Sequence, residues 1–409
     1  MHVNFDGLNK SGINREVLAL SLGRFGDGIG NSILFIIIPL YVADLPAPLF
    51  SFSETVRAGI LVSMFGLVAG LSQPFAGMLI DRLNRRKPFI VGGLLLLCGA
   101  TVSYNFVHRF YLALVIRALQ GLGLALTIPP TLALLNKSSK QSSRGGTMGV
   151  FSTFRVASLA VGPLLAGLIH DHFGFSAVFY TGAGCILIGA LLVQWWVKEV
   201  RDLQIQAFPI WDRRLFANGM PALGFATFVM AGSFAMIAPL EQRINIHLNE
   251  SPTIFGVAFS ALMVARIMVQ FPLGRLSDRK GRKLLIVAGL ALLAVATLFI
   301  GWVAAPWQFI TLRIVQGIAS GGIAAPVFAL AGDLSRKGSE GRQMSVVTTG
   351  FALGISMGTL FSGILAVYFL ALPFLAIGFM GLIAAVMVHR TVPETIQKTR
   401  IKNLSRSEN

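Results

Sequence analysis

At 409 residues the chain has the length of two or three soluble domains, yet 55% of it is hydrophobic and only 12% charged, about half the ~25% charged share of a soluble domain. Apolar blocks of roughly 20 residues, enough to cross ~30 Å of hydrocarbon, recur along its length, and no period-two alternation marks a membrane barrel. A net charge of +17 invites a nucleic-acid partner, but 26 of the 34 Lys and Arg sit at the termini and in the loops after spans 2, 4, 6, 8 and 10, so the charge reads as topology and no nucleic acid is expected.

Twelve spans are predicted, at about 17–43, 56–80, 88–106, 110–135, 146–169, 175–197, 216–240, 253–274, 284–303, 307–332, 343–368 and 371–388. The opening MHVNFDGLNKSG lacks the basic, apolar and small-residue order of a cleavable leader, so none is expected. Lys and Arg collect in cytoplasmic loops, which places both termini on the cytoplasmic side.

Span 1 contains GRFGDGIGN, in which Arg24, Asp27 and Asn31 fall at i, i+3 and i+7 on one helix face. Counted from residue 17, Asp27 lies about 15 Å into the span. The glycines at 23, 26, 28 and 30 permit bending or close contact with another helix. Between spans 2 and 3 the chain reads GMLIDRLNRRK, with Gly77, Asp81, Arg82 and Arg85. Span 4 holds RALQGLGLA, where Arg117 and Gln120 share a face. Span 5 reads FRVASLAVGPLLAGLI and sets Arg155, Ser158 and Gly162 on one face, with Pro163 and Gly167 beyond. His170, Asp171 and His172 are expected in a solvated external loop. The mixed-charge stretch 198–215 reads as a cytoplasmic linker.

The second half repeats the first. Span 8 places Arg266 and Gln270 on one face; GRLSDRKGRK follows, matching Gly274, Asp278, Arg279 and Arg282 to Gly77, Asp81, Arg82 and Arg85. RIVQGIASGG in span 10 then matches Arg313 and Gln316 to Arg117 and Gln120. Two motifs in one order at nearly equal spacing indicate duplication: a six-span bundle at 1–197, the linker 198–215, and a second bundle at 216–409. Of the 17 acidic residues only Asp27 lies well inside a span, Glu241 falling at a boundary, while five arginines (24, 117, 155, 266 and 313) lie inside spans. Charges so placed are costly and face a partner or a watery cavity.

The Gly-x-x-x-Asp-Arg-x-x-Arg loop and its copy resemble the signature loop of the major facilitator superfamily, and Arg-x-x-Gln-Gly in span 4 resembles that superfamily's second motif. Ser158, Gly162, Pro163 and Gly167 resemble the antiporter motif Gly-x-x-x-Gly-Pro-x-x-Gly-Gly, with Ser158 and Ala166 standing where the motif has glycine. The resemblance covers nearly the whole chain and implies an all-α membrane protein, twelve transmembrane helices in two pseudo-symmetric six-helix bundles that rock about a central site. It implies that Gly77, Asp81, Arg82, Arg85, Gly274, Asp278, Arg279 and Arg282 form a conformational latch, and that span 1 lines the cavity. Arg24, Asn31, Gln120, Arg155, Arg266 and Gln270 are then candidate cavity residues, and Asp27 with Arg117 the proton-coupling pair. Plainer readings stand beside these: basic topology anchors in the loops, a static Arg24–Asp27 pair within one helix, carbonyl-satisfied Arg117 and Arg313, ordinary packing at span 5, and Arg155 and Arg266 satisfied away from substrate.

The expected function is secondary active transport by alternating access: proton-coupled efflux of small amphipathic compounds, neutral or anionic because buried arginines outnumber the single acid. The alternative is a proton-coupled importer of an organic acid or sugar; a transport-inactive receptor is a third reading. Expected partners are a small-molecule substrate, protons and membrane lipids, for a monomer in the cytoplasmic membrane. The six histidines form no metal set, Cys98 and Cys185 both fall within spans and imply no disulfide framework, no phosphate-binding Walker loop is present, and no nucleophile-and-base set stands out. No cofactor or enzymatic activity is expected.

Overall fold

The computed structural model describes residues 15–43, 45–47, 52–138, 144–199, 219–334 and 340–394, almost entirely helical and without a strand among them. In chain order come α1 (Arg15–Ala43), α2 (Glu54–Leu83), α3 (Lys87–Ser103) and α4 (Phe110–Ser138). The run Arg144–Trp196 is broken at Gly174, whose φ of 74° is left-handed, into α5 (144–173) and α6 (175–196). There follow α7 (Met220–Ala235), α8 (Glu241–Leu248), α9 (Pro252–Lys280), α10 (Arg282–Ile300), α11 (Pro306–Leu334), α12 (Glu340–Leu365) and α13 (Leu372–Thr391).

Eleven runs among the described residues are long and apolar enough to cross a membrane, and one of these, Val150–Trp196, holds the two spans on either side of Gly174. That makes twelve. Two details depart from the sequence expectation. The helix continues through His170, Asp171 and His172, so these residues end α5 instead of forming a loop. The seventh span is split, α7 passing through a 3-10 turn at Ala238–Leu240 into α8, and Glu241 is fully buried there.

Two compact units emerge. The first holds α1, most of α2, α3 to α6 and the first turns of α9; the second holds the first turns of α2, α7, α8, the rest of α9 and α10 to α13. Within the first, α1 packs on the α5–α6 run and α3 on α4 and α6; within the second, α7 packs on α12 and α10 on α11 and α13. The same pairing thus occurs twice. Leu20, Ile90, Leu97, Ile186 and Val193 centre one core, and Leu223, Val229, Ile286, Leu290, Ile323 and Val388 the other.

Helices in lipid gain little from hiding apolar surface and associate through close packing, which small residues allow. Gly26 of α1 lies so near α6 that a Cβ there would fall 2.3 Å from the Cys185 carbonyl oxygen. In the second unit a Cβ at Gly350 of α12 would fall 2.1 Å from the Gly224 carbonyl oxygen of α7. Outer faces carry exposed Leu, Phe and Trp, including Trp195, Trp302 and Trp307. A soluble protein avoids such apolar surface, whereas lipid accepts it.

Candidate functional site in the buried polar clusters

On α1, Arg24, Asp27 and Asn31 are joined. The Arg24 guanidinium pairs with Asp27 Oδ2, and Asn31 Nδ2 donates to Asp27 Oδ1 and, at 3.0 Å, to the Asp27 carbonyl. Asp27 is 1% exposed, while the Arg24 side chain retains 16%. The i, i+3, i+4 geometry of a helix makes this cluster local. Asp27 therefore has its cation and amide supplied by its own helix.

The next face of α1 is bedded on α5. Ser32 Oγ donates to the Ser158 carbonyl (3.0 Å), and Ser158 Oγ donates to the Arg155 carbonyl (2.7 Å). A Cβ at Gly28 would fall 1.9 Å from Ser158 Oγ, and one at Gly162 1.9 Å from Ser32 Oγ. The other face of the α5 motif meets the start of α9. A Cβ at Gly167 would lie 2.7 Å from Thr253 Cα, and Gly256 lies against the Pro163 carbonyl. Thr253 Oγ1 also donates to Asp171 at the end of α5. Ser158, Gly162, Pro163 and Gly167 thus seat α1 and the first turns of α9, which lie in the first unit, on α5. Arg155 is half-buried on this helix, next to the edge-on Phe25–Phe154 pair.

Arg117 and Gln120 form a second cluster. Arg117 Nη1 donates to Gln120 Oε1 (2.9 Å), Gln120 Nε2 donates to Thr101 Oγ1 (3.0 Å), and Thr101 Oγ1 donates to the Leu97 carbonyl (2.8 Å). The second unit repeats it: Arg313 Nη1 to Gln316 Oε1 (2.7 Å), Gln316 Nε2 to Thr297 Oγ1 (2.8 Å), Thr297 Oγ1 to the Leu293 carbonyl (2.6 Å). Surroundings differ. Arg117 lies 5.2 Å over the Phe65 ring and Tyr104 sits beside Gln120, whereas the second unit has Leu262 and Ile300 at the corresponding positions. Each glutamine ties two helices through buried hydrogen bonds, and leaving their partners unmet costs about 1–3 kcal/mol. Gln120→Leu and Gln316→Leu are each expected to lower stability by that amount. Thermal unfolding in detergent checks this; one silent variant would remove that tie from the account of the fold.

In the basic loops, Arg282 bridges Asp278 (2.9 Å and 3.1 Å) and Asp333, while Arg82, Arg85 and Arg279 are exposed. The Asp81 side chain lies outside the described residues. Gly77 and Gly274 are not points of tight helix approach here: nothing described lies within 4 Å of a Cβ at Gly77, and only Ala325 Cβ, at 3.8 Å, near Gly274. A repeated device that the sequence reading missed lies nearby. Glu199 accepts from the Arg86 backbone N–H (2.9 Å) and Glu394 from that of Lys283 (3.0 Å), each carboxylate facing the positive N-terminus of α3 or α10. Thr101 with Thr297, Ser32 and Asp333 were also missed. The matched spacing of Thr101–Arg117 and Thr297–Arg313 was the available signal. Arg266 is 5% exposed and Gln270 half-buried, both on α9.

Twelve apolar spans, two units with one pattern of helix pairing and a buried Arg–Gln–Thr tie in each define a multi-pass membrane protein of duplicated transporter architecture. A sequence profile of the Major Facilitator Superfamily matches residues 20–209 and 223–406, which is most of the chain. The protein belongs to that superfamily and is a transporter of it. It is 28% identical over 325 residues to the multidrug resistance protein MdtG of Salmonella arizonae, a match covering 77% of this chain and 80% of that relative. MdtG of Escherichia fergusonii is 27% identical over 325 residues, covering 77% and 79%. Among solved structures, a bacterial homolog of the human lysosomal transporter Spinster, inward-facing and occupied, matches with a TM-score of 0.77 at 15% identity, over 95% of this chain and 98% of that one. A D-xylose-proton symporter matches with a TM-score of 0.73 at 15% identity, over 93% and 98%. At such identities the two structures speak for the fold alone.

Proposed function

We propose that the protein is a proton-coupled exporter of small amphipathic compounds, working by alternating access in the cytoplasmic membrane with both termini on the cytoplasmic side. The observation that carries this reading is Asp27. It is a carboxylate buried near the middle of α1, tied to Arg24 and Asn31 on one face. A group able to exchange a proton at that depth meets the first requirement of coupling, and an intramembrane acid is a functional candidate by default. The likeness to MdtG, a multidrug resistance protein by name, favours export.

In this reading the bundles are 1–197 and 216–409, joined by 198–215, and the working unit is a monomer. Arg117 with Gln120 fixes the polar interior beside α3 and assists coupling. Arg24, Asn31, Arg155, Arg266 and Gln270 belong to the substrate path. The α5 motif, through Ser158, Gly162, Pro163 and Gly167, holds α1 and α9 at a fixed approach. The loop residues Gly77, Asp81, Arg82, Arg85, Gly274, Asp278, Arg279 and Arg282 form the latch, a contact that biases one conformation over another.

The test is flux. Everted membrane vesicles containing the protein are expected to accumulate an amphipathic dye when their interior is made acidic, and to lose it when the gradient is collapsed. Loss of the protein from cells is expected to raise their sensitivity to toxic amphiphiles. Accumulation indifferent to the pH gradient would remove proton coupling, and gradient-driven uptake into right-side-out vesicles alone would reverse the direction.

A further inference from the structure

Arg266 stands apart from the other arginines inside the spans. Arg24 has Asp27, and Arg117 and Arg313 have their glutamines. Arg155 also has an interaction within the protein. Arg266 is 5% exposed, yet among the described residues it has no hydrogen-bond or ion-pair partner, and its Nε is buried without an acceptor. At 1.5 Å per residue it lies roughly 21 Å from the start of α9, about halfway along the helix. A guanidinium does not shed its proton, so a charge at that depth calls for an acceptor from outside the chain.

The repeat shows that the fold itself asks for no cation here. At the spacing relating Gly77 to Gly274, the counterpart of Arg266 is Ala69 of α2, a small buried residue. The surrounding backbone is equivalent: Gly121 packs over the Phe65 carbonyl in the first unit and Gly317 over the Leu262 carbonyl in the second. On α11, a Cβ at Gly321 would fall 2.6 Å from Val269 Cγ2 and 3.1 Å from the Arg266 carbonyl oxygen; the corresponding residue of α4 is Ala125. The second half thus carries a large cation on α9 and gives up a side chain on α11. A residue retained only for packing would resemble its counterpart.

We infer that Arg266 is the anion-recognition point of the transport site, and that the substrates are small amphiphiles bearing a carboxylate, sulfonate or phosphonate. This rests on the transporter reading above, though not on its proton coupling. The planar fork of arginine suits such groups, pairing two N–H donors with two oxygens. A lipid headgroup offers the same chemistry, but headgroups lie at the surfaces of a ~30 Å hydrocarbon layer, far from a residue midway along its span.

The experiment uses matched probes, 2-naphthalenesulfonate, 2-naphthoate and naphthalene-2-phosphonate against neutral 2-naphthalenesulfonamide, with equilibrium binding to the purified full chain. The wild type is expected to prefer the anions by about tenfold or more, the scale of a charge-assisted bidentate contact. Arg266→Gln is expected to erase that preference, with a retained cooperative thermal unfolding transition showing that the variant is folded; Arg266→Lys is expected to keep part of it. Equal binding of anionic and neutral probes by the wild type, or an anion preference that survives Arg266→Gln, overturns the inference. A lipid arm repeats thermal unfolding in phosphatidylcholine with and without phosphatidylglycerol. If phosphatidylglycerol stabilises the wild type but not Arg266→Gln, and probe selectivity is the same in both, Arg266 reads a lipid and the substrate assignment falls. Proton coupling is scored separately: the wild type is expected to show pH-driven flux of the neutral sulfonamide, and its absence would count against coupling while leaving anion selectivity standing.

Discussion

Vesicles carrying Asp27→Asn are expected to lose pH-driven accumulation of substrate, falling to roughly the background of empty vesicles, while still exchanging substrate down its own gradient. The amide keeps the shape of the carboxyl group and its ability to accept from Asn31, but it cannot carry a proton. Coupled flux therefore stops where binding and rocking need not. The substitution also removes the counter-ion of Arg24, and breaking one side of a buried ion pair costs about 3–5 kcal/mol. Reduced folded yield is thus expected alongside lost coupling, and the double variant Arg24→Gln/Asp27→Asn separates the two. Restored yield with coupling still absent shows that the lost coupling is not a folding defect. Undiminished pH-driven flux in Asp27→Asn would leave Arg24 and Asp27 as a static pair within α1.

The second large effect concerns the glycines of α1. Gly26→Ala adds one methyl group 2.3 Å from the Cys185 carbonyl oxygen. That atom belongs to the α6 backbone and cannot swing aside. The two helices must part, losing packing along their whole contact, and overfilling of this kind costs about 1–3 kcal/mol. Gly350→Ala is expected to behave alike, its methyl group meeting the Gly224 carbonyl of α7. Gly99→Ala is the matched control, because nothing described lies within 4 Å of its added carbon. There the change should be neutral or stabilising by up to about 1 kcal/mol, the difference in helix propensity. Thermal unfolding of the three variants in one detergent decides it, and equal midpoints for Gly26→Ala and Gly99→Ala would remove close approach as the reason for the glycine.

The local part of this architecture was legible in the sequence. Apolar runs of span length, the repeated loop and the Arg–Gln pairs follow from helical spacing, and so does the meeting of Arg24, Asp27 and Asn31 on one face. Contacts between distant segments were not. Only the matched Thr–Arg spacing of the two halves points to Thr101 as the partner of Gln120, because it lies on another helix whose rotation periodicity leaves open. Which glycines touch a backbone was equally hidden: Gly26 and Gly162 are tight, whereas Gly77, in the most conspicuous motif, is open. His170 to His172 read as loop because three polar residues follow the apolar run of span 5, yet the helix continues to Gly174. Glu241 read as a boundary residue because the split of the seventh span has no marker beyond Pro239.

The paired glutamates after α6 and α13 bear on how the polypeptide is handled at the bench. Glu394 is spent on the Lys283 amide, and any side chain at Gly281, whose φ is 112°, would strike it. Affinity tags, fluorescent fusions or shortened versions should accordingly be joined downstream of Glu394. The same caution protects Glu199 when a cut or an inserted epitope is planned between the two halves.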